Sequence, residues 1–220
     1  MERIDKYVYI NLAERPDRKE HILKDLKKYN VPDEKIIRID AVKSDKGAYG
    51  CAMSHLKAME AFRDSGDEVW WILEDDNYFC QCKDVIDYYV NLFLDNPDFD
   101  ALLGTYCAIK GTDLPGGIFR RAKESCLANC FIVKKRVCEA LIASHKQSAR
   151  TLNPKFGKTG GTPCDFMWYH VMKIFYFVAP YRPLGSQLVN YSNIKNKVMN
   201  YKKRTGANKI QVNEDSKIES

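Results

Sequence analysis

The chain has 220 residues, of which 45% are hydrophobic and 29% charged, a composition typical of a globular domain and unlike that of a disordered chain. The formal charge of +6 favours anionic ligands. The basic residues are spread along the chain, however, with one cluster in the polar segment from Lys195 onward, so we expect no nucleic-acid partner. No apolar run of about 18 residues is present and the N-terminus is charged, so we expect no transmembrane segment, no secretion signal and a cytoplasmic location.

The eight cysteines are scattered and lie mostly inside apolar segments, where a free thiol behaves as a small hydrophobe. Cys80 with Cys82, and Cys126 with Cys130, lack the paired CxxC spacing of a zinc site. We therefore expect reduced cysteines and no structural metal at these spacings.

A strand and a helix are predicted at the start of the chain. Residues 6–12 mix β-branched and aromatic side chains, and Pro16 then opens a helix whose apolar residues recur at helical spacing. That helix should end near residues 30–32, before a short second strand at 35–39. Three residues stand at the carboxyl end of this second strand: Asp40, Ala41 and Val42. The pattern indicates a βαβ unit.

A second unit ends in the most informative segment of the chain. A helix is predicted to open at residues 49–55 and to break at 65–67, ahead of an apolar run at 69–73. Three consecutive acids close this run: Glu74, Asp75 and Asp76. Such carboxylates repel one another unless a divalent cation neutralises them, and Mg²⁺ and Mn²⁺ prefer carboxylate oxygens. A solvated acidic turn after an edge strand is the structural alternative.

The second half of the chain continues the alternation less regularly. The predicted helices are residues 85–94, 134–144 and 165–175. The predicted strands are residues 100–104 and 130–133, with a further extended segment at 177–188. An exposed turn is expected at residues 114–117, and a flexible, lid-like loop at 153–163. The predicted division is a domain at 1–194 and a mobile, polar tail at 195–220.

Strands that alternate with helices predict an α/β fold, with a mostly parallel, twisted sheet and helices on both faces. Such a sheet commonly binds a nucleotide at the carboxyl ends of its strands. No GxGxxG follows the first strand, and Leu152 stands where a P-loop ending at Gly157-Lys158-Thr159 would need its first glycine. A Rossmann-type dinucleotide site and a P-loop are therefore both excluded.

Three sequence blocks, in order, resemble glycosyltransferase family 25, which includes lipopolysaccharide glycosyltransferases and collagen hydroxylysine galactosyltransferases. The blocks are residues 8–12 with Arg15 and Arg18, residues 50–55, and residues 72–76 with Phe79. Later segments continue the resemblance to about residue 194: residues 130–133, Asp165 and residues 183–194. The chain departs from the family's Ser-Asp-Ile pattern, because position 193 is Asn.

This resemblance implies a GT-A-type nucleotide-sugar-binding fold, a UDP-sugar donor, a divalent Mn²⁺ or Mg²⁺ ion and inversion at the anomeric carbon. The expected enzyme is a hexosyltransferase of the lipopolysaccharide or glycan-biosynthesis type. It would move galactose or glucose to a hydroxyl of a glycan, a lipid-linked saccharide or a protein. A cation held by Glu74, Asp75 and Asp76 would stabilise the charged diphosphate leaving group.

An inverting transfer also needs a base for the acceptor hydroxyl. We assign this role to Asp165, at a predicted helix start, where an N-cap is the structural alternative. Glu74 is the second candidate for the base. Trp168 and Tyr169, close by, are candidates for stacking on an acceptor sugar, and His170 is either a late metal ligand or a core residue.

The donor nucleotide is expected at the ends of the first two strands. Asn11, Arg15 and Arg18 would meet it there, since guanidinium groups suit phosphate, although both arginines also fit a solvated helix face. The remaining candidates for donor contact are Asp40, Ala41 and Val42 beside uridine and ribose, Ser54, His55 and Asp75. His55 fits a half-buried structural histidine equally well. Trp70 and Trp71 are expected to pack on opposite faces of the sheet.

Two other function classes fit the sequence. The first is a nucleotide or nucleic-acid-binding protein that keeps the α/β frame and uses its basic tail. The second is a catalytically inactive paralogue that positions a partner enzyme. Only the transferase requires metal-coupled binding of a diphosphate.

Overall fold

The computed structural model of the chain describes residues 2–107, 109–156, 161–188, 190–192 and 197–199. The helices are α1 (Pro16–Lys28), α2 (Gly47–Asp64), α3 (Lys83–Asp95), α4 (Cys138–Leu152) and α5 (Cys164–Ile174). The strands are β1 (Lys6–Asn11), β2 (Ile36–Asp40), β3 (Val69–Glu74), β4 (Asn77–Phe79), β5 (Ala101–Leu103), β6 (Ile109–Asp113), β7 (Phe119–Ser125), β8 (Cys130–Lys134), β9 (Phe177–Pro180), β10 (Gly185–Gln187), β11 (Asn190–Ser192) and β12 (Lys197–Met199). Short 3₁₀ helices cover Asp33–Lys35, Lys135–Val137 and Pro154–Phe156.

One sheet contains eight of these strands, in the order β2-β1-β3-β8-β5-β9-β7-β6. β1 is parallel to β2 and β3, and β5 is parallel to β9. β8 is antiparallel to β3 and β5, and β7 is antiparallel to β9 and β6. All the sheet strands except β7 and β8 therefore point in one direction, which confirms the predicted α/β fold with a mostly parallel sheet.

Helices cover both faces of this sheet. Buried side chains of α2, α4 and α5 pack on one face together with Trp70, whose ring stacks on Phe62 at a centroid distance of 4.9 Å. Buried side chains of α1 and α3 pack on the other face together with Trp71, which stacks on Tyr7 at 5.6 Å. Both tryptophans are thus packing residues on opposite faces, as strand alternation predicts.

The hairpin of β6 and β7 was not predicted, although the exposed turn at its tip was. This hairpin brings the residues before β6 and after β7 face to face, so that Cys107 and Cys126 form a disulfide with a Cα separation of 5.9 Å. The expectation that every cysteine is reduced is wrong for this pair. The reason is tertiary, because the two residues lie 19 apart in sequence and meet only through strand pairing.

Two further boundaries differ from the prediction. Helix α4 begins after the 3₁₀ turn Lys135–Val137 and extends to Leu152, eight residues beyond the predicted end at 144. The predicted lid-like loop begins with the 3₁₀ turn Pro154–Phe156, and its residues 157–160 lie outside the described part of the chain. Most of the predicted tail lies outside it too, but residues 197–199 form β12 and pair with β11. No described helix has the length and apolar character needed to span a bilayer.

Candidate functional site

The carboxyl ends of three neighbouring parallel strands meet at one edge of the sheet. In the register of these strands, Asn11 at the end of β1 lies opposite Asp40 on β2, and Ile10 lies opposite Glu74 on β3. Asp75 and Asp76 follow Glu74 in the turn before β4. The sequence-predicted acids therefore stand at the edge where open α/β sheets bind ligands.

Asp75 is held by β1 and α1. Its carboxylate is 7% exposed, accepts a hydrogen bond from Asn11 Nδ2 at 2.7 Å, and lies 3.1 Å from Arg18 Nη1. Burial raises the pKa of this carboxyl, and the bonds to Asn11 and Arg18 only partly offset that effect. Asp75 is thus a buried carboxyl group with two polar partners, and burial disfavours its charged form.

Asp76 is the least compensated of the three acids. Its partners are Arg18 Nη1 at 3.4 Å and a long contact of 3.5 Å from Gln187 Nε2, on β10. Burial, together with the nearby charges of Glu74 and Asp75, raises the pKa of Asp76 to about 7. The Oε1 of Gln187 is also buried, with no hydrogen-bond partner among the described residues. Gln187 thus presents an unpartnered oxygen beside Asp76.

The chemistry of these groups fits a hard divalent cation. The two aspartates and the unpartnered amide oxygen of Gln187 are oxygen ligands of the kind that Mg²⁺ and Mn²⁺ prefer. A positive ion beside Asp76 would also relieve the repulsion that raises its pKa.

Glu74 points away from this pair, towards α2. Its Oε1 lies 3.0 Å from His55 Nε2 and 3.7 Å from Cys51 Sγ. Burial by itself would raise the pKa of Glu74, but the bond to His55, the charges of His55 and Arg18 and the contact with Cys51 together outweigh it, so the pKa is lowered. For His55, burial alone would lower the pKa, yet the interactions with Cys51 and Glu74 raise it to about 10. The structure thus brings Asp75 and Asp76 together at Arg18 and directs Glu74 to a histidine.

The two arginines after β1 differ in their surroundings. Arg18 has a side chain that is 14% exposed and bridges Asp75 and Asp76. Arg15 forms a two-pronged pair with Asp17, with distances of 2.9 Å from Nε and 2.7 Å from Nη2. Arg18 therefore belongs to the cluster formed with Asp75 and Asp76, whereas Arg15 pairs with the exposed Asp17 on α1.

The segment after β2 is fixed by α2. The Val42 N–H donates to Ser54 Oγ at 2.8 Å, and that hydroxyl donates to Gly50 O at 2.6 Å. A Cβ at Gly50 would lie only 2.5 Å from Val42 O, so this close approach requires glycine. Ser54 is 1% exposed, and the two hydrogen bonds of its hydroxyl fix the segment that follows β2.

Asp40 and Ala41 are tied to the end of β1. The Ala41 N–H donates to Asn11 O at 3.0 Å. The carboxylate of Asp40 is exposed and pairs with Arg38 Nη1 at 2.7 Å. Arg38 also donates from Nε to Asn11 Oδ1 at 3.2 Å. Asn11 is therefore bonded to protein groups through both of its side-chain polar atoms.

Asp165 lies in the first turn of α5, but the N-cap alternative is wrong. The helix begins at Cys164, so Asp165 is its second residue, and the preceding cap position is Pro163. Asp165 Oδ2 accepts the backbone N–H of Leu127 at 3.0 Å, and Leu127 has a positive φ of 83°. Burial raises the pKa of this carboxyl, and the charge of Glu74 raises it further.

The other residues expected near the acceptor differ in their burial. Trp168 is fully buried and packs edge-on against Phe131 at 4.7 Å, so its expected role in stacking on a sugar is wrong. Helical periodicity turns it to the sheet. Tyr169 is half-buried and contacts Phe166, while His170 is exposed, which excludes the alternative of a core histidine.

Sequence reasoning missed a group of buried side chains around His55. Cys51 Sγ lies 3.8 Å from Cys164 Sγ, and the His145 ring stacks on His55 at 5.6 Å. Cys51 and His55 are four residues apart on α2, so they share one helix face, and this spacing was the available signal. The contribution of Cys164 comes from a distant helix and carries no local signal.

No family model and no curated protein matches this sequence. Among solved structures, the chain is similar to A197 from STIV, at 10% identity and a TM-score of 0.51, over 89% of this chain and 94% of that one. It is also similar to a glycosyltransferase involved in the glycosylation of the major capsid of PBCV-1, at 11% identity and a TM-score of 0.50, over 87% and 95% of the two chains. At this level of identity the likeness is one of fold, and the fold is GT-A-like.

Proposed function

We propose that this protein is a metal-dependent, inverting glycosyltransferase that moves a hexose, galactose or glucose, from a UDP-sugar to a hydroxyl of a glycan, a lipid-linked saccharide or a protein. The observation that carries the proposal is the placement of three consecutive acids at the carboxyl edge of the sheet, where Asp76 is half-buried and poorly compensated. The fold shared with a capsid-modifying glycosyltransferase supports it.

The donor diphosphate would lie at Asp75 and Asp76. These two carboxylates would hold Mn²⁺ or Mg²⁺, and the ion would supply charge stabilisation for the UDP leaving group. Arg18, which contacts both aspartates, is the guanidinium closest to that position. Glu74 is the third ligand that the sequence predicts. It is bonded to His55 and lies beside Asp75 and Asp76, so its role towards the ion would be a supporting one.

The nucleoside would be held by the residues that join β1, β2 and α2. In this proposal Asp40, Ala41 and Val42 contact uridine and ribose, and Arg15 contacts the phosphates from the turn before α1. Two buried residues, Asn11 and Ser54, would act by fixing these neighbours, whereas His55 would act through Glu74.

Asp165 is the proposed base on the acceptor side. Burial raises the pKa of Asp165, which suits proton transfer from a hydroxyl, while the bond from the Leu127 N–H fixes the orientation of its carboxylate. Glu74 is a weaker candidate, because its ion pair with His55 lowers its pKa. Tyr169, half-buried one turn along α5, remains the candidate for contact with an acceptor sugar.

Calorimetric titration with UDP, with and without Mn²⁺, tests the proposal. We expect UDP binding that depends on Mn²⁺ in the parent protein and that is lost in Asp76→Asn. Asp98→Asn, which changes an exposed aspartate, is the matched control and should bind like the parent. UDP binding that is the same with and without the metal would overturn the proposal. Binding to nucleic acid with a steep salt dependence would favour the alternative class.

A further inference from the structure

A second group of metal-binding side chains lies beside the acidic edge. Cys51 Sγ, His55 Nε2 and Glu74 Oε1 all lie within 4.8 Å of one another. Cys164 Sγ lies 3.8 Å from Cys51 Sγ. His55 is 1% exposed and Cys164 is 3% exposed, whereas Cys51 is half-buried and the Glu74 side chain is 25% exposed. The group of three joins α2 to the end of β3, and Cys164 borders it at the start of α5.

The spacing of the Cys51, His55 and Glu74 atoms suits three ligands of one zinc ion, whereas Cys164 stands outside the group whose ligand atoms all lie within 4.8 Å of one another. With usual zinc–ligand lengths, a sulfur and an oxygen lie about 3.5 Å apart, and a nitrogen and an oxygen about 3.3 Å. The observed separations are 3.7 Å for Cys51 and Glu74, and 3.0 Å for His55 and Glu74. A disulfide between Cys51 and Cys164 would need their sulfurs to be about 2.05 Å apart.

The donor types separate this group from the aspartate pair. Thiolate and imidazole ligands select zinc, whereas carboxylate and amide oxygens select magnesium or manganese. Cys164 is the first residue of α5, and its sulfur faces Cys51 Sγ. Cys51 and His55 are presented from one face of α2 by their i,i+4 spacing, which is a usual way for a helix to supply two ligands.

We propose that Cys51, His55 and Glu74 bind one zinc ion, at a site separate from the Asp75–Asp76 pair. In the proposed site His55 binds through Nε2 and Glu74 through Oε1. Cys164 Sγ, 3.8 Å from Cys51 Sγ, borders the site without belonging to the group of three. The ion would link α2 to the end of β3 and so fix the position of the acidic turn that follows.

Cobalt substitution tests this site without reference to any enzyme activity. We expect the reduced, metal-stripped protein to bind one Co²⁺ with tetrahedral ligand-field bands and sulfur-to-cobalt charge transfer, and Zn²⁺ to displace it. Cys51→Ser should weaken Zn²⁺ binding by more than about 100-fold, since even second-shell losses cost 10- to 100-fold. Cys80→Ser, which removes another half-buried free thiol, is the matched control and should bind like the parent.

Two further measurements make the outcome decisive. Circular dichroism of each variant shows whether lost binding reflects unfolding, and His55→Gln gives an independent ligand variant if a cysteine variant does not fold. Asp76→Asn should retain the cobalt charge-transfer band, which distinguishes this site from the proposed donor site. Absence of charge transfer in the folded, reduced parent would overturn the inference, as would a Cys51–Cys164 disulfide found by mass spectrometry of the untreated protein.

Discussion

At the scale of single residues, the acidic edge is organised by one guanidinium. Arg18 Nη1 lies 3.1 Å from Asp75 and 3.4 Å from Asp76, and all three side chains are at most 15% exposed. Two adjacent buried carboxylates are unfavourable without a counter-charge. The same pair of charges that makes a cation site plausible therefore makes the metal-free protein depend on Arg18.

Arg18→Ala should destabilise the metal-free protein by about 2 to 4 kcal/mol, because it leaves two largely buried carboxylates without their cation. Mn²⁺ should restore more stability to this variant than it adds to the parent, since the ion would replace the lost charge. Urea unfolding with and without Mn²⁺ measures both effects. Arg3→Ala, which breaks an exposed pair with Asp95, is the control and should change stability by less than about 1 kcal/mol.

Asp165→Asn separates chemistry from binding. The amide keeps an oxygen that can accept the Leu127 N–H, but it cannot take a proton. Turnover should fall by about two to four orders of magnitude, the usual contribution of a general base, while UDP affinity stays the same. Steady-state rates and UDP titration on the same preparation measure both. Turnover equal to that of the parent would remove Asp165 from the mechanism.

At the scale of elements, two connections join parts of the chain that are distant in sequence. The β6–β7 hairpin is closed by the Cys107–Cys126 disulfide. Helix α1 is joined to β4 through Asp25, whose Oδ2 accepts the Phe79 N–H at 2.7 Å. Each connection makes a prediction about stability that does not depend on the proposed function.

The disulfide should add about 3 kcal/mol to the free energy of unfolding, because it closes a loop in the unfolded chain. We expect the double variant Cys107→Ser, Cys126→Ser to lose this amount in urea unfolding. Thiol titration of the denatured, unreduced protein should count six free thiols, and eight after reduction. Eight thiols before reduction would show that the pair is not joined.

Asp25 should make stability depend on pH. Burial raises its pKa in the folded state above the ordinary value of 3.8. Above about pH 4 the unfolded state has lost a proton that the folded state still holds, so the contribution of Asp25 to stability falls as pH rises through the folded pKa. Asp25→Asn should reduce this fall, as measured by urea unfolding at several pH values. An unchanged pH profile in the variant would contradict the assignment.

At the scale of the whole molecule, helices on both faces of the sheet leave its carboxyl edge as the place for a ligand. Trp70 and Trp71 point to opposite faces and are each at most 2% exposed, so both faces of the central strand β3 are closed. Ligand binding at the carboxyl edge would therefore stabilise the strands and helices that meet there.

Mn²⁺ and UDP together should raise the thermal midpoint more than the sum of the effects of each alone. At ligand concentrations about 100 times Kd the added stability is about 2.7 kcal/mol, or about 5 to 10 °C for a chain of this size. Differential scanning fluorimetry with and without a chelator measures the shift. An equal shift by UDP in the presence of the chelator would contradict metal-coupled binding.

The sequence by itself determined several of the elements and the edge at which the acids stand. The strands at residues 69–74 and 130–134 and the helices at 16–28 and 83–95 follow from local periodicity, and residues 75 and 76 follow directly after a buried strand. These features depend on neighbours a few residues apart, which is the range over which hydrophobic patterning acts.

Only the tertiary structure decided what each site residue touches. Strand pairing joined Cys107 to Cys126, helix packing brought Cys164 to Cys51, and the position of α2 turned Glu74 towards His55. Trp168 was misassigned because its periodicity shows that one face is buried but not which helix face meets the sheet. Contacts between residues 19 to 113 positions apart depend on the packing of whole elements, which no local pattern records.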